Sequence, residues 1–259
     1  MAVAAVSMVK DEADVVAGTL LHMADEVDFL IVADNGSTDG TREILAEFAD
    51  TLPLTVIDDL EVAYHQSRKM TALANQAGEQ GASWIVPFDA DELWIAEHRI
   101  ADVLRAEPAT VATARLTNHY ATAIDPDEKD PFRQLVWRTA EPQPLPKVAY
   151  RWHRSAVIHQ GNHGVTHPRP VYADLLEVRH FPYRSTEQFI RKARNGAAAY
   201  AATDLPMSEG SHWRAYGEIL DRFGEAGLAD VFREHFHYFS PTDAGLVHDP
   251  APYRRWATT

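Results

Sequence analysis

Apolar residues in the first half of the chain fall in short unbroken runs, and these alternate with stripes at helical spacing. Val3 to Val9 is one such run, of strand length and with no polar face, which predicts a parallel strand buried on both sides. Val16, Leu20 and Met23 then form one helical stripe. Phe29 to Val32 predicts a second strand, Asn35-Gly36-Ser37 a turn, and Thr41 to Ala49 a helix with Ile44, Leu45 and Phe48 on its inner face. Leu54 to Ile57 follows as a third strand, and Ser67 to Gln80 as a helix burying Met70, Leu73, Ala74 and Ala77. Trp84 to Phe88 predicts a fourth strand, strained at Pro87 because proline cannot donate to a central ladder. An acidic cluster, a helix near Ile100, Val103 and Leu104, and a fifth strand over Thr110 to Leu116 complete this half. Strands alternating with helices across short connections predict an α/β fold, a doubly wound and mostly parallel sheet flanked by helices.

The second half is less regular. Residues 121–150 carry Asp125, Pro126, Asp127, Pro131, Pro142, Pro144 and Pro146 and read as a long loop. Arg151 to Tyr183 holds short β-like pieces interleaved with five histidines. Ser185 and Gln188 have the spacing of a capping box that opens a helix to about Ala202. Helices around Trp213 to Phe223 and Leu228 to Tyr238 come next. The expected organisation is a domain over 1–183, with halves 1–116 and 117–183, and a C-terminal helical extension over 184–259.

Composition narrows the chemistry. With 24 basic against 38 acidic residues the formal charge is −14, so a general nucleic-acid surface is not expected. The chain has no cysteine, which excludes disulfides, thiolate metal sites and cysteine nucleophiles. No stretch is long and apolar enough for a transmembrane segment, and the start Met1 to Val9 lacks a basic leader, so a cytoplasmic protein is expected.

In an open parallel sheet, ligands bind beyond the carboxyl ends of the strands. Two acidic motifs stand there. Asp34 ends the second strand, and Asp89-Ala90-Asp91-Glu92 follows the fourth. Two carboxylates at Asp-x-Asp spacing can share one hard cation such as Mg²⁺ or Mn²⁺, which substrate phosphates then complete. An acidic surface loop is the plain alternative for the second motif. A turn followed by a helix cap is the plain alternative for Asn35 to Thr41, since Gly36, Ser37, Asp39 and Gly40 suit tight geometry and capping. His159, His163 and His167 are four apart, but Gly161, Gly164 and Pro168 make a shared helical face improbable. Trp94, Trp137 and Trp152 are candidates for stacking against an acceptor. His235 and His237 lie among aromatics and are expected to be partly buried packing residues.

The segment Val32 to Thr41, taken with Met8 to Glu12 upstream and with Lys69, Asn75, Gly81 and Phe88 to Glu92 downstream, resembles glycosyltransferase family 2. The block His180 to Ser185 is similar to that family's later motif. The resemblance implies a GT-A-like fold and transfer of a sugar from a nucleoside diphosphate sugar, a UDP-sugar first and a GDP-sugar second, to a hydroxyl-bearing acceptor with inversion. It implies that Met8, Glu12, Asp34, Lys69, Asp89 and Ala90 border the nucleotide. It further implies that Asp89, Asp91 and His180 hold Mn²⁺ or Mg²⁺. The acidic base that the family usually offers is absent where expected, since His159 is followed by Gln160 and His163 by Gly164. His163, Glu177 and Asp174 are therefore the candidates, in that order. A nucleotidyltransferase, and a nucleotide-sugar-binding module without turnover, are the alternatives. The first would want a glycine- and basic-rich phosphate loop, whereas Met8 to Asp14 offers acid.

Overall fold

The fold is described from a computed structural model over residues 1–253. Its frame is four parallel strands, β1 (Ala2–Val9), β2 (Phe29–Asp34), β3 (Leu54–Asp58) and β4 (Ala82–Pro87), in the order β3-β2-β1-β4. Helices α1 (Val16–Glu26), α2 (Thr41–Ala49) and α3 (Gln66–Glu79) form the crossovers, and α4 (Ile100–Ala106) follows β4. One core lies under α1, α2 and α4, from Val3, Leu20, Leu30 and Trp84 to Ile100. The other lies under α3, from Ala4, Ile31, Met70 and Ile85 to Tyr150. Alternate residues of β1 serve both cores, which is why its sequence has no polar face.

Pro87 sits here without cost. Phe88 N donates to Val6 O at 3.0 Å on the β1 side. The antiparallel partner on the other side, β8 (Lys147–Arg151), pairs only with Trp84 and Ile85. The missing N–H of Pro87 therefore falls where no strand stands.

The second half supplies antiparallel structure that the sequence pattern hides. After β5 (Glu92–Ile95), the long strand β6 (Val111–Thr122) pairs with β7 (Trp137–Thr139) and β8, and short helix α5 (Pro131–Gln134) lies between β6 and β7. Residues 121–150 are thus not one long loop, because the buried run Val148-Ala149-Tyr150 forms a strand between β6 and β4. β9 (Val157–Ile158) and β10 (Val165–Thr166) make a small hairpin around a 3₁₀ turn at Gln160–Asn162, so the three spaced histidines share no helix. β11 (Tyr172–His180) runs between β5 and β6.

Helix α6 (Thr186–Ala201) begins as predicted, with Ser185 Oγ accepting from Gln188 N at 3.1 Å. The reciprocal bond reaches one residue further back, from Arg184 N to Gln188 Oε1. α7 (Ser211–His235) is broken at Gly224, whose φ of 66° and ψ of −164° are not helical, and this separates the two predicted helices. α6 and α7 enclose a separate core of Phe189, Ala193, Leu228 and Phe232. His235 is exposed and His237 half-buried, so only the second matches the packing role expected of the pair. Short strands β12 (His237–Tyr238) and β13 (Leu246–His248) extend the sheet through β6 and β7. Residues 254–259 of the expected C-terminal extension lie outside the described residues. Among the described residues, no helix is long and apolar enough to cross a membrane.

Candidate active site

β1, β2 and β4 end side by side, and their carboxyl ends form the floor of the site. The loop after β1 is held open by the motif after β2. Asp11 N donates to Ser37 Oγ, Glu12 N to Thr41 Oγ1 at 2.8 Å, and Ala13 N to Asp39 Oδ2. Asp11, at φ 53°, accepts from Thr38 N at 2.6 Å. The hydroxyl-rich stretch Ser37 to Thr41 is therefore a brace for Asp11 and Glu12 as well as a cap for α2. Asp34 is buried and accepts only long bonds, at 3.3 Å, from Ser37 N. Beside it, Asn35 donates to Asp59, and Lys69 reaches Asp59 Oδ2 at 2.7 Å and Glu61 O at 2.6 Å. Met8, half-buried at the end of β1, borders the same edge.

The turn after β4 splits its carboxylates in two directions. Glu92 points inward, fully buried, where it accepts from Asp89 N at 3.1 Å and Trp94 Nε1 at 3.0 Å. Trp94 is itself wholly buried by this bond and cannot stack on an acceptor, contrary to expectation. Trp152 is held by Asn75 and packs over Gly78, and Trp137 packs against His248 with the rings tilted by 47°. Ala90 O accepts from Thr19 Oγ1, which anchors the turn to α1.

Lys147 Nζ sits between Asp89 Oδ2 at 2.6 Å and Glu92 Oε1 at 2.7 Å, and also donates to Gly161 O. Asn162, at φ 59°, donates to Asp89 Oδ1 at 3.0 Å. Gly161 has a φ of 72°, and a Cβ there would strike the His163 ring, so this turn needs glycine. Burial pushes the Glu92 carboxyl up, against the opposing pull of Lys147. Burial alone would lower Lys147, but Asp89 and Glu92 raise it above the ordinary lysine value.

Asp91 faces the other way. Its Oδ2 accepts from Lys192 Nζ on α6 and lies 3.6 Å from His180 Nε2 and 3.8 Å from Arg184 Nη1. Burial works to raise this carboxyl, yet Lys192, His180 and Arg184 hold it well below the usual range. Arg184 also binds Glu12 and Asp14, and Lys192 reaches Glu12 Oε1 at 3.2 Å. Asn195 of the same helix donates to Asp11 Oδ2 at 2.6 Å. Tyr64, ring-packed on Tyr200, closes this side, and its hydroxyl is raised well above the ordinary value by burial and by Asp89.

Register puts His180 beside both Asp91 and Asn118. Phe181 N donates to Asp91 O, and His180 pairs with Asn118 across β11 and β6. Asn118 Nδ2 donates to Tyr120 OH at 3.1 Å, so its Oδ1 faces His180 Nδ1 at 2.9 Å. With Nδ1 committed to Asn118, Nε2 is the ring nitrogen that faces Asp91.

The three-ligand set expected from Asp89, Asp91 and His180 is not assembled as such. Among the described residues no three His, Asp or Glu side chains converge on a metal, because Asp89 is turned to Lys147 and Asn162. Asp91 and His180 do converge, and one carboxylate with one oriented imidazole fits a cation that substrate oxygens complete. Of the base candidates, His163 faces Lys147 and Asp89, and its ring is lowered first by burial and then by Lys147. Glu177 stands three residues before His180, hence on the opposite face of β11, beside Arg179. Asp174 lies further back, at Thr113. Sequence reading missed Lys147 and Lys192 altogether, and took Asn162 only as a residue that disfavours a helix across the three histidines. It quoted Arg184 only within a motif, although a charged residue directly before a capping serine was a usable signal.

Residues 6–158 match the family described as glycosyl transferase family 2, which is more than half of the chain. No curated protein sequence matches it. Among solved structures, S. aureus TarS 1–349 is 12% identical, with 87% of this chain and 73% of that chain covered and a TM-score of 0.42. The complex of TarS 1–349 with UDP-GlcNAc is 13% identical, covering 91% and 76% at a TM-score of 0.41. Longer TarS is 11% identical, covering 87% of this chain and 44% of that one at 0.41. The family match falls on the strands and loops that carry Glu12, Asp34, Asp89 and Asp91, and this chain is a glycosyltransferase that belongs to glycosyl transferase family 2.

Proposed function

We propose that the protein transfers a sugar from a nucleoside diphosphate sugar to a hydroxyl acceptor, with a divalent cation at Asp91 and His180. The observation that carries this reading is the convergence of the buried Asp91 carboxylate and the Asn118-oriented His180 imidazole at the carboxyl end of β4. Asp34, beside Lys69 and Asn35 at the ends of β2 and β3, is an acceptor for a base that presents a ring N–H. Uracil and guanine do so, which favours UDP- and GDP-sugars. Asp89, fixed by Lys147, is the residue for the ribose.

In the reaction the acceptor oxygen bonds to the anomeric carbon while the bond to the diphosphate breaks. The acceptor proton goes to a base, and the electron pair leaves with the diphosphate. A bound Mg²⁺ or Mn²⁺ would supply Lewis-acid stabilisation of that leaving charge. Arg184 and Lys192 add positive charge at the same place. His163 is the base this reading favours. Its Nδ1 donates to Pro146 O at 3.0 Å, which leaves Nε2 free to take a proton. Attack opposite the leaving group would invert the anomeric carbon. This reading gives the acceptor the cleft of about 750 Å³ lined by His65, Arg68, Thr71, His159 and Gln160. Gln160 ties that cleft to Asp89, since the carbonyl of the next residue holds Lys147.

The test is release of UDP from a UDP-sugar with Mn²⁺ present, in the wild type and in Asp91→Ala. The variant is expected to lose about 10²–10³-fold in turnover, the scale of removing one group that stabilises transition-state charge. Unchanged turnover in the variant would overturn the assignment.

A further inference from the structure

The Asp91 carboxylate already carries a cation, and it is one that can leave. We infer that Lys192 is a placeholder. Its ammonium neutralises Asp91 in the donor-free protein, gives that carboxylate up to the incoming divalent ion, and then serves the diphosphate. The inference rests on the cation reading of Asp91 and His180 above.

Four observations carry it. First, Lys192, His180 and Arg184 converge on one oxygen of the Asp91 carboxylate, Oδ2. An ion taking that oxygen must meet the ammonium of Lys192, and two positive charges that close repel strongly in a water-poor site. Second, His180 Nδ1 is taken by Asn118 Oδ1 at 2.9 Å, and Nε2 lies 3.6 Å from the same Asp91 oxygen, so an ion displacing Lys192 would meet a ring nitrogen beside the carboxylate. Third, the two protein cations differ in freedom. Arg184 is 2% exposed and bound at once by Glu12, Asp14 and Phe181 O. Lys192 is 23% exposed, ends in a flexible four-carbon stem, and keeps Glu12 as a second anchor once Asp91 is lost. Fourth, the charge balance permits an exchange. Glu12 and Asp14 keep Arg184, and Asp14 also has Arg191 at 3.9 Å, so moving Lys192 off Asp91 leaves neither of them without a cation. A divalent ion on Asp91 would then release Lys192 toward the phosphates. Metal and nucleotide thereby favour each other's binding through one side chain.

The experiment titrates Mn²⁺ by the electron paramagnetic resonance of the free ion, without nucleotide, into wild type, Lys192→Met and Lys192→Arg. Lys192→Met is expected to bind Mn²⁺ about tenfold or more tightly than wild type, within the usual range for coupled sites, while its affinity for UDP alone falls. Lys192→Arg keeps the weak wild-type Mn²⁺ affinity. A purely structural role for Lys192 would weaken metal binding or leave it unchanged, and either result in Lys192→Met overturns the proposal. Should Lys192→Met fail to fold, acetic anhydride labelling of the wild type gives a second measurement. Mg²⁺ alone should speed modification of Lys192 relative to Lys10, and an unchanged ratio overturns the exchange. Loss of Mn²⁺ binding in Asp91→Asn is the separate control for the cation site itself. UDP release by the wild type separately tests the transferase reading.

Discussion

The two halves of the molecule contribute opposite charge to one site. The parallel half, β1 to β4, supplies Glu12, Asp34, Asp89, Asp91 and Glu92 from the ends of buried strands and the turns after them. The later half supplies Lys147 from β8, His180 from β11, and Arg184 and Lys192 from the start and body of α6. An acidic chain thus brings Lys147, Arg184 and Lys192 together with the carboxylates at the place where a diphosphate would need them. The expected boundary at residue 183 would place Arg184 and Lys192 in an appendage, whereas both reach into the site. Charge complementarity between halves, more than either half alone, makes the pocket.

The comparison breaks hardest at Lys147. Replacing it with Met leaves Glu92 buried without its counter-charge and frees Asp89. Lys147→Met is expected to lose about 3–5 kcal/mol of stability, measured by urea unfolding, as when one partner of a buried pair is removed. A loss under about 1 kcal/mol, the range for exposed pairs, would show that Glu92 and Asp89 do not depend on Lys147 for their burial.

A second test asks whether the later half does chemistry or only balances charge. His163→Gln preserves polarity but cannot act as a base near neutral pH. Its kcat is expected to fall about 10²-fold with the urea midpoint nearly unchanged. An unaltered kcat would return the base to another residue.

The third sharpens the contrast between site and structural histidines. His119 is fully buried, stacks on Phe181, donates Nδ1–H to Leu135 O, and is pushed down by burial to about 3. As pH falls through about 6.5 the unfolded ring takes up a proton. The folded ring does not until pH nears 3, so acid favours unfolding throughout that window. The wild type should lose about 2 kcal/mol from this group between pH 7 and pH 5, and His119→Phe should not show that component. Urea midpoints at the two pH values measure it.

The smallest effect concerns the helix that carries Lys192. Ser185→Ala removes the cap on Gln188 N and should cost about 1 kcal/mol in the urea midpoint. UDP-sugar turnover should fall little, since the ion pairs of Arg184 still fix the start of α6.

Much of the parallel half was legible because burial on both faces leaves no choice of pattern. Runs such as Val3 to Val9, interrupted only by Ser7, and Phe29 to Val32 have the length and composition of interior strands, and acidic residues at their ends stand out against them. The second half resisted reading where strands are short and lie between prolines, as at Lys147 to Arg151. The hydroxyls and Asp39 of Ser37 to Thr41 were legible as turn and cap residues, but their service to the loop after β1 depends on contacts 26 to 29 residues apart. Glu177 and Asp174 looked as available as His163 until strand parity turned Glu177 away and Thr113 placed Asp174 at the far end of β11.

By itself the sequence determined the alternating frame, the carboxylates at the ends of its strands, and the family those motifs mark. Only the tertiary structure decided which cation meets which carboxylate. Lys192 lies 101 residues from Asp91, and Lys147 lies 58 from Asp89. The physical reason is one of range. Hydrophobic periodicity is written between neighbours in sequence, while the pairing of buried charges is fixed by register, by strand parity and by the packing of α6 across the sheet. Those are properties of the folded chain and of no segment within it.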